Sequence, residues 1–215
     1  MSTRDQIVEG AFAALLRHGL PNMSFDRIAQ MAGTSRQLVR YHFKDHDTLM
    51  LAVCARLEAE YKDAIRSCLA LPTGDRSRLD LILDFHFDLV GAVPKPADER
   101  VYDALMSRAA ESAPVREALR RQSVALGRFV SDAVAREHPS LGADRCDEIA
   151  YVFVATMYGH WKLVRTLGLS ERHREVARDA LDRIIASHLA TADAPAAGGI
   201  WELQPQAHDA RPARA

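Results

Sequence analysis

Arg36, Arg40 and Lys44 stand four residues apart, with Gln37 and Tyr41 interleaved, in and just after the stretch GTSRQLVRYH (33–42). On a helix that spacing gathers them along one side. A guanidinium can pair with guanine O6 and N7, and a carboxamide with adenine N6 and N7. Lysine and hydroxyl groups suit phosphates, which fix register without carrying sequence information. Taken alone, the same face is also what an ordinary solvated helix presents. The neighbouring elements therefore have to decide the matter.

Those elements point one way. Residues 4–18 form a first helix, with Ile7, Ala11 and Leu15 on one stripe and Val8, Phe12 and Leu16 beside it. GLPN ends it with turn formers. Ser24 is a natural N-cap for a second helix that runs to Ala32 and buries Phe25, Ile28 and Ala29. Gly33 supplies the positive φ of a sharp turn. Thr34 or Ser35 then caps a third helix ending near Phe43, and Asp45 caps a long fourth. Val39 and Phe43 would point inward, leaving Gln37, Arg40 and Tyr41 outside. Two helices joined by a glycine turn make a helix-turn-helix, whose second helix is the one that enters the major groove.

The stretch SFDRIAQMAGTSRQLVRYHFKDHDTLM (24–50) resembles the TetR family of bacterial transcriptional repressors: Ile-Ala, Ala-Gly, a small hydroxyl residue, then His-Phe-Lys and an acidic cap before a long helix. The resemblance implies that Ser24, Tyr41, His42 and Lys44 hold phosphates, while Arg36 and Gln37 approach base edges. Arg27, Thr34, Ser35 and Arg40 complete the candidate DNA-contact set. Two residues depart from the family's habit: Gln37 stands where glycine is frequent, and Arg40 where tyrosine is common. Gln37 either reads a base or holds the helix slightly off the groove, whereas Arg40 keeps a phosphate or base donor and adds charge, which would alter the operator sequence rather than abolish binding.

Composition bounds the rest. The chain has 215 residues, 48% hydrophobic and 27% charged, with a formal net charge of −1. Bulk charge is uninformative about a polyanionic partner: residues 1–51 carry six Lys/Arg against five Asp/Glu, and the remainder 22 against 24. The local arginine spacing carries that signal instead. No apolar run reaches the roughly 18 residues of a membrane span, and the start MSTRDQIVEG is polar, so a cytoplasmic protein without a membrane partner is expected. Cys54, Cys68 and Cys146 form neither a CxxC nor a zinc pattern, and none has an evident activating neighbourhood. Cys54 and Cys68 would lie about 20 Å apart on one helix, too far to bridge. GxSxG, P-loop, dinucleotide-glycine and HExxH motifs are all missing, which argues against an enzyme, and neither a cofactor nor a metal is expected.

The fold class read from this is all-α: a three-helix DNA-binding domain over residues 1–60, then a helical effector-binding and dimerisation domain over 61–191, about nine helices altogether. Helices are expected at about 46–70, 76–91, 97–110, 114–137, 143–167 and 170–191, separated by segments rich in Pro and Gly. Residues 192–215 read as a disordered tail in which Trp201 is an oddity. Aromatic and methionine side chains with polar tips single out Phe85, His86, Tyr102, Met106, Tyr151, Tyr158 and His160 as pocket candidates, although each suits a core equally well. The segment IAYVFVATMYGHWKLV is apolar nearly all round, so Phe153, Gly159 and Trp161, with Ile184 on the last helix, are candidates for a dimer interface. Asp84, His86 and Asp88 could hint at a metal, but His86 falls on a different face. His18, His42 and His46 read better as surface or phosphate-contacting groups than as a cluster. The function implied is a dimeric, effector-released repressor on a palindromic operator; a helix-turn-helix activator without an effector is the alternative.

Overall fold

Side-chain caps set the helix boundaries. The computed structural model describes residues 1–74, 76–96, 98–191 and 199–201. Ser2, Ser24, Ser35, Asp45, Ser77 and Ser112 each accept a backbone N–H three residues on, starting α1 (Thr3–His18), α2 (Phe25–Met31), α3 (Arg36–His42), α4 (His46–Leu69), α5 (Arg78–His86) and α7 (Ala113–Glu137). Between them and beyond lie α6 (Glu99–Glu111), α8 (Ala143–His160) and α9 (His173–Ala190). The described residues hold nine α-helices and no strand, which is the expected all-α class.

Two expected helices differ. The one read over 76–91 stops at His86, because Asp88 takes a left-handed φ of 60° that no α-helix can carry onward. The one read over 143–167 is regular only to His160; Trp161–Thr166 continues it as a π-helical turn, a rare geometry concentrated at functional sites.

A first core joins the inner faces of α1–α4 to α6 and the start of α7 through Ile7, Leu15, Ile28, Val39, Phe43, Leu49, Val101 and Leu105. A second fills the space between α5, α7, α8 and α9 with Phe87, Val130, Ile149, Phe153, Met157 and Leu181. Gly10 makes the α1–α2 contact: a Cβ there would come within 2.6 Å of Ala32. The cysteines are buried and free, and burial pushes all three thiols up. No described helix is long and apolar enough to cross a membrane.

Most of the tail, 192–198 and 202–215, lies outside the described residues. Trp201 corrects the expectation where it can be seen. It is buried, its Nε1 donates to the Asp147 carbonyl at 3.3 Å, and its ring fills the notch that Gly127 leaves in α7, beside Tyr151.

Candidate nucleic-acid interface and body cavity

The surface that α3 presents depends on what fixes the helix. Val39 and Phe43, one turn apart and both fully buried, pin its inner side to the core. Arg4 on α1 lies 5.1 Å from the Phe43 ring centroid, adding a cation–π contact at the exit of the helix. Before α3, Gly33 has φ 63° with open space around it, so glycine is needed for conformation rather than for room. Ser35 Oγ accepts from Leu38 N at 3.1 Å and Ser24 Oγ from Arg27 N at 3.3 Å. Both serines thus serve as caps, and both remain exposed.

The opposite side of α3 is open. Arg36, Gln37, Arg40 and Lys44 are exposed, and Tyr41 is 81% exposed, an unusual position for an aromatic ring. Thr34, His42 and Arg27 are half-buried around them. Arg36 forms an exposed ion pair with Asp26 on α2 at 3.1 Å, which would have to open for a base contact. The ten candidate residues therefore gather on α2, the turn, α3 and its exit, with five long polar side chains presented together.

The body holds a cavity of about 280 Å³. α4 contributes Leu57, Glu58 and Tyr61; α7 gives Leu119, Gln122, Ser123, Leu126 and Phe129; α8 and its π turn give Met157, Tyr158 and Trp161. His86 from α5 and Tyr102 from α6 complete it. Of the seven pocket candidates, His86, Tyr102 and Tyr158 line this space. Phe85 and His160 are buried elsewhere in the body, and Met106 (50% exposed) and Tyr151 (59% exposed) face outward. Trp161, taken from sequence as an interface anchor, is a cavity wall, and Phe153 is fully buried in the second core. Ile184 packs against that core, half-buried, whereas Gly159 is exposed. Tyr61, Gln122 and Phe129 escaped sequence reasoning; Tyr61 and Gln122 sit among charged residues, and nothing local marks them.

Burial tunes the groups around the cavity. Desolvation pushes His86 down to about 4, and the ring edges of Phe85 and Phe153 enclose it. Asp98, which accepts from the Tyr61 hydroxyl at 3.0 Å, is pushed up to about 6 by burial, and its Oδ2 is a buried oxygen without a partner. Lys95 is pushed down to about 8 by burial, though Asp88 lies 3.0 Å away. Among the described residues no three His, Cys, Asp or Glu side chains are grouped as a metal site would need.

α6 connects the two regions. Tyr102 on α6 meets Tyr158 over the cavity with hydroxyls 2.5 Å apart. Near its end, Arg108 donates to Asp47 at 2.6 Å and Ser112 Oγ to the same carboxylate at 2.8 Å. Asp47 lies in the first turn of α4, directly after α3, and the Arg108 contact holds its carboxyl below the usual range. Arg100 donates to the last carbonyls of α1, on Leu16 and Arg17.

Residues 7–53 match the family described as bacterial regulatory proteins, tetR family. The chain is 26% identical over 190 residues to the HTH-type transcriptional regulator BetI of Escherichia coli O17:K52:H18 (strain UMN026), covering 87% of this chain and 94% of BetI. It superposes on the multidrug binding protein EbrR complexed with imidazole (TM-score 0.64, 16% identity, 86% of this chain and 95% of that one). It also superposes on a transcriptional regulator from Saccharomonospora viridis in complex with choline (TM-score 0.63, 18% identity, 85% and 95%). With the helix-turn-helix geometry and these likenesses together, residues 7–53 form a TetR-type DNA-binding domain, and the chain resembles TetR-family transcriptional regulators over most of its length.

Proposed function

We propose that the chain acts as a homodimeric, effector-responsive repressor, reading a near-palindromic operator through residues 24–44. The observation that carries this is the outward face of α3: Arg36, Gln37, Arg40 and Tyr41 exposed together on a helix whose other side is locked by Val39 and Phe43. Arg36 and Gln37 are assigned to base edges. Ser24, Tyr41, His42 and Lys44 are assigned to phosphates, with Arg27, Thr34, Ser35 and Arg40 around them. Residues 1–60 form the reading head and 61–191 the body, and the protein works in the cytoplasm, where its operator is.

Dimerisation is assigned to the outer side of α8. Tyr151, Ala155, Gly159 and Leu163 recur every four residues, are exposed and carry no charge. Such an apolar stripe suits burial against its own copy, and two heads must then sit one DNA turn, about 34–36 Å, or a multiple of it apart. The effector is assigned to the 280 Å³ cavity, in keeping with the small molecules bound by EbrR and the S. viridis regulator. A shift of α4 or α6 on binding would change the spacing of the heads, a coupling typically of about 1–3 kcal/mol.

Selection of bound sequences from random duplex DNA at two salt concentrations tests the reading. An enriched inverted repeat is the expected result. Weak, steeply salt-dependent binding without enrichment would refute sequence-specific regulation.

A further inference from the structure

The cavity's polar groups form an unbalanced set once their internal bonds are counted. Gln122 spends its amide hydrogens on the Cys54 carbonyl at 3.3 Å and on Glu58 at 3.0 Å, leaving its carbonyl oxygen as an acceptor. Ser123 donates its hydroxyl to the Leu119 carbonyl at 3.0 Å, leaving lone pairs. The Nδ1 of His86 lies 2.7 Å from the Ile82 carbonyl, and a carbonyl oxygen only accepts, so Nδ1 carries the ring hydrogen. In the neutral ring Nε2 is then a lone-pair acceptor, and burial keeps the ring neutral far below physiological pH. Tyr102 and Tyr158 share one hydrogen between them, so the pair offers a single remaining donor. Leaving aside the Glu58–Lys62 ion pair, three acceptors thus stand against one donor.

The charge around the cavity is balanced instead. Glu58 at the mouth is paired with Lys62 at 2.5 Å, and the side chain of Lys62 is 64% exposed. The ammonium of Lys95 already lies 5.1 Å from the Trp161 ring, so a second cation on that wall would meet a like charge. The walls are otherwise apolar and aromatic, and 280 Å³ is just below the usual pocket range of about 300–1,000 Å³.

We infer that the effector is a small, uncharged, largely aromatic molecule bearing a hydroxyl or N–H, whose hydrogen is taken by His86 Nε2 with Gln122 and Ser123 as auxiliary acceptors. This inference rests on assigning the effector to the cavity. An ether or hydrocarbon of the same shape leaves the buried His86 acceptor unsatisfied, whereas a phenol satisfies it. A permanent cation has to be desolvated in a cavity whose one lining carboxylate, Glu58, is already paired with Lys62.

Calorimetric titration of the DNA-free protein with 4-hydroxybiphenyl, 4-methoxybiphenyl, 4-biphenylmethylamine (an ammonium at neutral pH) and choline tests this. The hydroxyl compound should bind about tenfold more tightly than its methyl ether, the size of one hydrogen bond, and more tightly than either cation. In His86→Phe, which keeps a flat ring among Phe85 and Phe153, the preference should fall to about twofold while the ether still binds. Should that variant not fold, nitrogen NMR of the wild-type histidines replaces it: the hydroxyl compound, and not the ether, should shift the unprotonated nitrogen of the assigned His86 ring, which stays neutral down to about pH 4. Equal affinity for the phenol and the ether, tighter binding of either cation, or an unmoved nitrogen resonance would overturn the inference. Release from selected operator DNA is measured separately. A compound that binds as described yet leaves the DNA complex intact would refute the effector reading while leaving this selectivity standing.

Discussion

The reading head and the cavity are built on opposite plans. In the head, apolar side chains point in and polar ones out, and each boundary is set by a residue within three positions of where it acts: Ser24, Gly33, Ser35 and Asp45. In the body, five helices send side chains inward to a space none of them defines alone, and some of those side chains are polar and buried. Geometry fixed locally tolerates little change inside and much outside. Geometry assembled from distant helices stores its specificity in buried groups whose ionisation is out of line with water.

The sharpest way to break this contrast is to remove an inner pin of the head. Phe43→Ala takes away a fully buried ring and should cost about 3–5 kcal/mol in chemical denaturation, with loss of all DNA binding. A smaller loss, with binding retained, would mean that α3 is not held by its core contact.

Two buried groups of the body respond to pH with opposite signs. Between pH about 6.5 and about 4 the unfolded chain protonates His86 while the folded protein does not, so acidification favours unfolding by up to about 3 kcal/mol. Between about 6 and 4 the folded protein holds a proton on Asp98 that the unfolded chain has lost, so acidification favours folding by a similar amount. The two nearly cancel. Asp98→Asn should therefore lose stability on acidification more steeply than wild type, and His86→Phe less steeply. Denaturation midpoints at pH 7, 5.5 and 4.5 read the difference; parallel curves for all three proteins would contradict it.

Two glycines sharpen the comparison at smaller scale. Gly10→Ala forces a methyl against the Ala32 backbone and should destabilise by about 1–3 kcal/mol. Gly159→Ala meets open space and should leave the protomer as stable or slightly more so, because alanine favours helix. Any penalty at Gly159 would then appear in the dimer dissociation constant. Smaller still is Lys44→Ala, which should weaken binding to all duplexes alike and lower the salt slope by about one.

The same contrast explains what could be read from the chain in advance. The head was legible almost to the residue, since capping, a glycine turn and an i, i+4 apolar pair are local signals. The body's helices were legible as elements, apart from the left-handed Asp88 and the π turn after His160, which depend on tertiary context. Its site was only half legible: His86, Tyr102 and Tyr158 line the cavity, but Tyr151 and Met106 face outward. Closer attention to phase would have separated Phe153, Met157 and Trp161, four apart and turned inward, from Tyr151, Ala155, Gly159 and Leu163, four apart and exposed. Tyr61 and Phe129 carry no such signal, because only the meeting of α4 with α7 turns them into walls.

Whether α3 reads bases shows most directly at Arg36. Against the selected operator, Arg36→Ala should lose about 1–3 kcal/mol of binding and relax selectivity at one position of each half-site, while its affinity for random duplex DNA changes little. An equal loss on operator and random DNA would reduce Arg36 to a phosphate contact and contradict base reading by α3.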